Sequence, residues 1–353
     1  MTDRSRGLEG RYYTDPNIFD RELDVIFART WIMVGHSTQV ANHGDIITAQ
    51  VGDENVFVAN DRGTVRAFYN VCQHRGHELI STDATNTPVI PCPYHAWTYD
   101  LSGTLAHARG EEVGKICIPR IRLETMAGYL FVNLDDSALP LAETVPGVEA
   151  ELHAVAPDAD QRLLTSRRTH LINANWKIAV ENYNECYHCP NVHKTFTSGV
   201  VDPNSYRINP RGFTIHHTAE GPPEGQSGYA RHAEGNDYGS FFTWPTSSIQ
   251  CYPGQVLNTF RWVPLTVDQT LLIREWWFDT TEPTEAQQEI INLDWDTTVS
   301  EDFDIMESVQ RGMSSRGYTP GPLITRPDGI ATTMSEDTVP HIHSLVRAAL
   351  GDG

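Results

Sequence analysis

The chain reads as an α+β protein in two domains, and three features carry that reading. Helical periodicity marks the N-terminus, period-two alternation with hairpin turns follows, and the second half mixes long strands with a helix. Residues 12–40 read as a helical lead-in: Asp15-Pro16 opens it, and Phe19, Leu23, Ile26, Phe27 and Trp31 recur at helical intervals. From about residue 45 the period is two. Runs at 55–59 and 64–68 around a turn at 60–63 predict a hairpin, and 99–105, turning at Leu101-Ser102-Gly103, predicts another. The apolar run 128–134 predicts a buried strand in the small antiparallel β domain assigned to 39–153. A Pro- and Ala-rich linker at 138–160 leads into a second domain, 154–353. There, strands at 255–263 and 270–278 precede a helix over 284–311, opened by Pro283 and the capping box Thr284-x-x-Gln287. We expect helices laid against an antiparallel sheet, with the N-terminal part, 1–38, packed on this second domain. Residues 199–240, rich in Gly, Pro, Asn and His, predict a long loop or lid over a site.

The 353 residues suffice for two ordinary domains, each with its own core. A net charge of −20 argues against nucleic acid or an anionic membrane as partner, because either would repel such a surface. The stretch MTDRSRGLEGRYYTD has no apolar segment, and no run of eighteen apolar residues occurs, so neither secretion nor membrane spanning is expected. We expect a cytoplasmic protein. Six cysteines agree with a reducing compartment: two belong to the motif below, and Cys117, Cys186, Cys189 and Cys251 show no disulfide framework.

Two short loops carry the first chemistry. VCQHRGH places Cys72 and His74, and PCPYHAW places Cys92 and His95: Cys-x-His, a gap of seventeen residues, then Cys-x2-His. Replacing two of four thiolates by histidines on one iron distinguishes a Rieske [2Fe–2S] centre from an all-cysteine cluster and raises its potential. A structural Cys2His2 zinc site uses the same ligand types, but zinc fingers group Cys with Cys and His with His. Here each loop has one of each, which favours the cluster. Such a centre suits delivery of single electrons to a catalytic metal.

A second metal site is expected downstream. In NWKIAVENYNECYH, residues 175–188, Trp176, Val180, Tyr183 and Tyr187 fall on one helical face; Lys177, Glu181, Asn184, Glu185 and His188 fall on the other. Pro190 stops that helix, and His193 follows. Two imidazoles and a carboxylate form the ligand set of non-haem iron(II) oxygenases, leaving positions open for O2 and substrate. Asp302 is the choice of carboxylate: Met306, Val309 and Met313 follow it at steps of four, seven and eleven, which puts it on the inward face of its helix. Asp304 is the alternative. As an isolated pair, His188 and His193 would read as ordinary core or helix-end histidines. Cys186-x2-Cys189 reads as two small packing residues rather than a redox motif.

With both motifs the chain resembles, over nearly its whole length, the oxygenase (α) component of Rieske non-haem iron oxygenases. Its nearest resemblance is to the branch acting on choline, glycine betaine, carnitine and stachydrine. The motifs are Cys72-x-His74…Cys92-x2-His95, Val180-Glu181-Asn182-Tyr183-x-Glu185-Cys186-Tyr187-His188-Cys189-x3-His193, and Glu301-Asp302…Val309-Gln310-Arg311-Gly312. Glu185 stands where many members carry Asp; that branch carries Glu there, as this chain does. The resemblance implies a Rieske domain on a helix-grip catalytic domain, assembled as a homotrimer in which the cluster of one subunit faces its neighbour's iron. It assigns Cys72, His74, Cys92 and His95 to the cluster and His188, His193 and Asp302 to mononuclear Fe(II). Glu185 would link a cluster histidine across the interface, His95, to His188. O2 as co-substrate and a separate flavin and iron–sulfur reductase oxidising NADH or NADPH are also implied; this chain has no G-x-G-x-x-G fingerprint of its own.

The implied reaction is monooxygenation, by N-demethylation or hydroxylation, of a small quaternary-ammonium substrate. Phe241, Phe242 and Trp244, with Tyr252, Phe260 and Trp262, offer ring faces for a trimethylammonium group. Aromatics on strands equally fill cores. Aromatic-ring hydroxylation is the rival reaction, and a non-enzymatic electron carrier or zinc-stabilised binding protein, lacking the second metal, is the rival of another class.

Overall fold

Period-two alternation does build the first of two units. The computed structural model of the chain describes residues 5–110, 112–222, 237–326 and 331–352. Its units are residues 27–143, and residues 1–26 together with 144–353. In the first, strands β1 (Ile32–His36), β2 (Ile46–Val51), β3 (Glu54–Asp61), β4 (Thr64–Tyr69), β8 (Arg120–Met126) and β9 (Tyr129–Asn133) form one antiparallel sheet ordered β1-β9-β8-β4-β3-β2. Three short strands, β5 (Ile90–Pro91), β6 (Thr98–Tyr99) and β7 (Leu105–His107), form a second. The β3–β4 hairpin turns through Arg62 and Gly63, both at positive φ (52° and 87°), the backbone a two-residue turn of matching twist requires. Across it Phe57 opposes Phe68, with ring centroids 5.2 Å apart. Their core includes Cys72 and Cys92, so the cysteine of each loop is anchored in packed apolar surface.

The helical lead-in is shorter than its periodicity predicts. Helix α1 (Pro16–Glu22), capped by Asp15, passes into a π turn at Leu23–Phe27, and the chain then enters β1 instead of continuing helically to residue 40. All five β1 residues are buried, and a short apolar run buried on both sides carries no period to separate strand from helix. Residues 27–38 therefore belong with the β unit, and only 1–26 with the larger one.

The larger unit holds a seven-stranded antiparallel sheet ordered β10-β16-β15-β14-β13-β12-β11. Its strands are β10 (Leu163–Ile172), β11 (Arg207–Arg211), β12 (Thr214–Ala219), β13 (Tyr238–Thr243), β14 (Ser247–Tyr252), β15 (Val256–Thr266) and β16 (Gln269–Phe278). Register puts His217, Ser240, Gln250 and Asn258 in one row, and Ser248, Phe260 and Arg274 in the next. Residues His216, Phe241, Ile249, Thr259 and Glu275 form a row on the opposite face. Helices α2 (Trp176–Asn184), α3 (Glu285–Asp294), α4 (Phe303–Met313) and α5 (Thr338–Leu350) accompany the sheet.

Three further expectations change. The segment 199–240 is not one lid: β11, β12 and the start of β13 lie in it, and 223–236 fall outside the described residues. The helix expected over 284–311 keeps its capping box but breaks into α3, a π turn at Trp295–Val299, a 3-10 turn at Ser300–Asp302, and α4. The polar side of helix α2 is not a solvent face. Lys177 is fully buried and bonds Glu22 of α1 at 2.7 and 2.8 Å, while Trp176 donates to the same carboxylate at 2.8 Å. That pairing lets a charged residue sit in the core. Among the described residues no helix is long and apolar enough to cross a membrane.

Candidate metal centres

In the smaller unit the two loops repeat one turn. The Cys72 carbonyl accepts from Gly76 N at 3.0 Å and the Cys92 carbonyl from Ala96 N at 3.0 Å, with both donors at positive φ (72° and 58°). Cys72 N in turn bonds His77 O at 2.8 Å, and Cys92 N bonds Trp97 O at 2.7 Å. Glycine adopts that backbone freely; Ala96 does so under the constraint of its loop. Both thiols are buried, whereas His74 is exposed and its ring lies 4.7 Å from that of His95. Trp97 stacks on His74 at 4.5 Å, and Tyr94 lies 3.7 Å from His95.

Thus the sulfurs face the core and the imidazoles the rim. His95 Nδ1 is buried without a hydrogen-bond partner among the described residues, an atom whose lone pair a metal would satisfy. The residues fit a cluster. Tyr99, unremarked in the sequence, accepts from Gln73 N at 3.0 Å and reaches Cys72 Sγ at 3.4 Å; hydrogen bonds to sulfur are one lever on cluster potential.

In the larger unit α2 ends sooner than its pattern suggests. The Asn184 side chain takes the Val180 carbonyl at 2.8 Å, Thr338 Oγ1 donates to the Asn184 carbonyl at 2.6 Å, and Glu185 turns to extended backbone. His188 therefore lies beyond the helix, not on its polar face, and His193 sits between two short helices, Cys189–Val192 and Lys194–Gly199. The turn also brings Cys186 and Cys189 to a Cα separation of 4.9 Å, and they form a disulfide. The expectation of two unlinked packing residues is corrected: 4.9 Å lies within disulfide reach, and spacing alone could not show the turn.

Three ligand atoms converge. His188 Nε2 and His193 Nε2 are 3.1 Å apart, His193 Nε2 lies 3.2 Å from Asp302 Oδ1, and His188 Nε2 lies 3.7 Å from the same oxygen. Facial ligands about 2.1 Å from one metal would sit roughly 3 Å apart, so this set fits an ion. Each histidine is oriented from behind by a carboxylate: Glu185 Oε1 bonds His188 Nδ1, and Glu301 Oε2 bonds His193 Nδ1 at 2.9 Å. Burial alone would lower the His193 pKa, but Asp302 and Glu301 hold it above the ordinary value. Glu301 was missed as a site residue. A single helix face does not carry adjacent residues; the 3-10 turn aims Glu301 and Asp302 at opposite nitrogens of one ring.

Beside these three side chains lies an aromatic-walled cavity. Its wall includes Tyr183, Tyr206, Tyr238, Tyr252, Phe260 and Trp262. Tyr183 lies 5.2 Å from Phe260 and 4.8 Å from Trp262, which stack on each other at 5.0 Å. Of the six aromatics offered for substrate, Tyr252, Phe260 and Trp262 line this cavity. Phe241, Phe242 and Trp244 do not. Phe241 points to the opposite sheet face and meets His216 at 5.1 Å; Trp244 packs on Trp176 at 5.6 Å. Tyr183, Tyr206, Tyr238 and Gln250 were missed, although strict alternation along β13 and β14 marks Tyr238 and Gln250 as sharing the face of Tyr252.

Residues 150–352 match the ring hydroxylating alpha subunit (catalytic domain) and residues 30–119 the Rieske [2Fe-2S] domain. The chain belongs to this family of Rieske non-haem iron oxygenase subunits, enzymes whose cofactors are a [2Fe–2S] cluster and a mononuclear iron. The carnitine monooxygenase oxygenase subunit of Escherichia coli (strain K12) is 35% identical to it, covering 98% of this chain and 94% of its own length. The glycine betaine monooxygenase oxygenase subunit of Pseudomonas aeruginosa (strain UCBPP-PA14) is 28% identical, covering 91% and 85%. A quaternary ammonium Rieske monooxygenase solved with L-carnitine superposes with a TM-score of 0.88 at 31% identity, covering 98% of this chain and 96% of that one. A naphthalene 1,2-dioxygenase with indole bound shares the fold, with a TM-score of 0.81 at 19% identity.

Proposed function

We propose that this subunit is the terminal oxygenase of a multicomponent system that monooxygenates a small quaternary-ammonium, betaine-like substrate. The observation that carries this is the aromatic cavity beside the His188–His193–Asp302 triad, where desolvated ring faces attract a trimethylammonium group by about 2 kcal/mol each at best. The names of the carnitine and glycine betaine relatives support the same substrate class. In this reading Cys72, His74, Cys92 and His95 hold the cluster, and His188, His193 and Asp302 hold the iron. When bound, the cluster supplies single electrons and the iron activates O2. The reaction takes substrate, O2, two electrons and two protons to oxidised product and water. Oxidation at an N-methyl carbon gives a hemiaminal that releases formaldehyde; oxidation elsewhere leaves a hydroxylated chain.

The residues divide the remaining work. Glu185 and Glu301 orient the two imidazoles, and the buried rings exclude water and present the substrate carbon to the open side of the triad. We propose a homotrimer in which Glu185 couples His188 to His95 of a neighbouring subunit; a solved relative is described with inter-subunit electron transfer, which supports this. Electrons come from NADH or NADPH through a separate flavin and iron–sulfur reductase, in a cytoplasmic system. The test measures O2 and NADH consumption with a surrogate reductase, coupled to product, for glycine betaine, carnitine, choline and proline betaine against benzoate and other aromatic acids. Turnover of a quaternary amine is expected. Consumption of the aromatics alone would replace this reading with ring hydroxylation.

A further inference from the structure

Cys186 and Cys189 have no part in the function described above. We propose that they are a reversible oxidation site: a dithiol–disulfide pair, closed by peroxide and opened by dithiols, whose closed form latches the loop that carries His188. The oxidation site stands on the two cysteines alone; its effect on iron rests on the ligand reading above. Of the other cysteines, Cys72 and Cys92 belong to the cluster loops, and Cys117 is exposed. Cys251 is buried, and burial pushes its thiol up to about 12, which keeps it inert. Cys186 and Cys189 differ from these in lying 4.9 Å apart at Cα, where a disulfide closes without backbone movement, and in both lining the cavity beside the triad. Both are shielded from bulk solvent, so the cavity is the route by which a small oxidant meets them.

As a staple for the whole fold the bond is weak, because stabilisation grows with the length of loop closed and these residues are only 3 apart in sequence. Its constraint falls on what lies between and beside the sulfurs. The backbone N–H of His188 donates to Glu185 Oε2 at 3.3 Å, and its Nδ1 meets Oε1 of the same carboxylate. The His188 carbonyl accepts from Val192 N at 3.0 Å, and the Cys189 carbonyl accepts from His193 N at 2.8 Å. A covalent tie from Cys186 to Cys189 therefore fixes the turn that aims His188 and the start of the turn that aims His193. With the bond open, hydrogen bonds and packing alone hold that turn.

Closure is a two-electron oxidation. One sulfur, as thiolate, attacks an oxygen of hydrogen peroxide; the O–O bond breaks, a sulfenic acid forms, and the departing hydroxide takes up the proton the thiol released, as water. The second sulfur then attacks the sulfenic sulfur, the S–O bond breaks, and a second water leaves. Two thiols and one peroxide thus give one disulfide and two waters. Reduction by a dithiol runs through a mixed disulfide, returns two electrons and two protons, and leaves the reductant as a disulfide.

The test treats the holoenzyme with dithiothreitol or with hydrogen peroxide, desalts it, and applies two measurements. Alkylation and peptide mapping read the state of the two cysteines, and a ferrous chelator, with ascorbate in both arms, reads the rate at which mononuclear iron is lost. Peroxide should give the disulfide-bonded peptide and dithiothreitol the doubly alkylated one, through repeated cycles. The dithiol form should lose iron faster by roughly three- to twentyfold, the upper figure being the chain entropy of so short a loop. Cys186→Ser and Cys189→Ser should lose iron at the dithiol rate under both treatments, while Cys117→Ser keeps the wild-type response. Failure of peroxide to join the two cysteines, or equal rates of iron loss from the two wild-type forms, would overturn the proposal while leaving the ligand reading intact. The wild-type comparison decides the matter if the serine variants do not fold. Reversible closure in a protein that binds no iron would sustain the oxidation site and end the latch together with the ligand reading.

Discussion

His193 is held by two consecutive carboxylates, and His188 by a third, so the two imidazoles have little freedom to turn. In the proposed reading these groups divide into ligands and orienting residues, and substitution separates the roles. Glu301→Gln should keep the visible colour of the cluster but weaken mononuclear iron binding about 10–100-fold, read as iron retained after dialysis against graded Fe(II). Glu185→Gln should keep both metals yet lose steady-state oxidation, because its proposed work is coupling. Near-normal turnover would remove that role, and loss of iron would make Glu185 a ligand.

His217 gives a pH prediction. Burial first, then the neighbouring His216, pushes its pKa from 6.5 down to about 3. Between those values the unfolded chain binds a proton that the fold does not, so stability falls as pH drops through that window, by about 1.4 kcal/mol per pH unit. His217→Gln should flatten the decline by one proton's worth, measured as denaturation midpoints from pH 7 to 4. An unchanged slope would show that the ring is protonated in the fold.

At the scale of elements, alternation decides which aromatics can meet a ligand. Trp262→Leu should raise KM for the proposed quaternary-amine substrate several-fold through loss of a cation–π face, whereas Phe241→Leu, on the other side of the sheet, should cost about 1 kcal/mol of stability and leave KM unchanged. The reverse pattern would mean that the register is wrong. The long strands β15 and β16 and the capping box at Thr284 were legible because each depends on local pattern. The π and 3-10 turns ahead of α4 were not. They depend on how the helix accommodates the His193 site, and interruptions of this kind gather at functional positions.

For the whole molecule, the ligand sets imply about two cluster irons and one mononuclear iron per subunit. Mild chelation should strip one iron, abolish turnover and spare the colour, with Fe(II) restoring activity; Cys92→Ser should bleach the spectrum instead. A colourless wild type that holds zinc would refute both assignments. Light scattering of the holoenzyme tests the trimer, and a monomeric active enzyme would remove the proposed role of Glu185 between subunits.

The Cys-x-His and Cys-x2-His loops, the two downstream histidines and Asp302 stood out as candidate ligands from residue types and spacing, because metal ligation demands particular atoms and tolerates few substitutes. Only the tertiary structure brought Glu301 to His193, closed Cys186 on Cys189, turned Phe241 and Trp244 away from the cavity, and set Gln250 against Arg274. Those contacts join segments through strand register and turn geometry. A spacing pattern names which atoms can bind; the paired sheet and the ends of its helices decide which of them face one another.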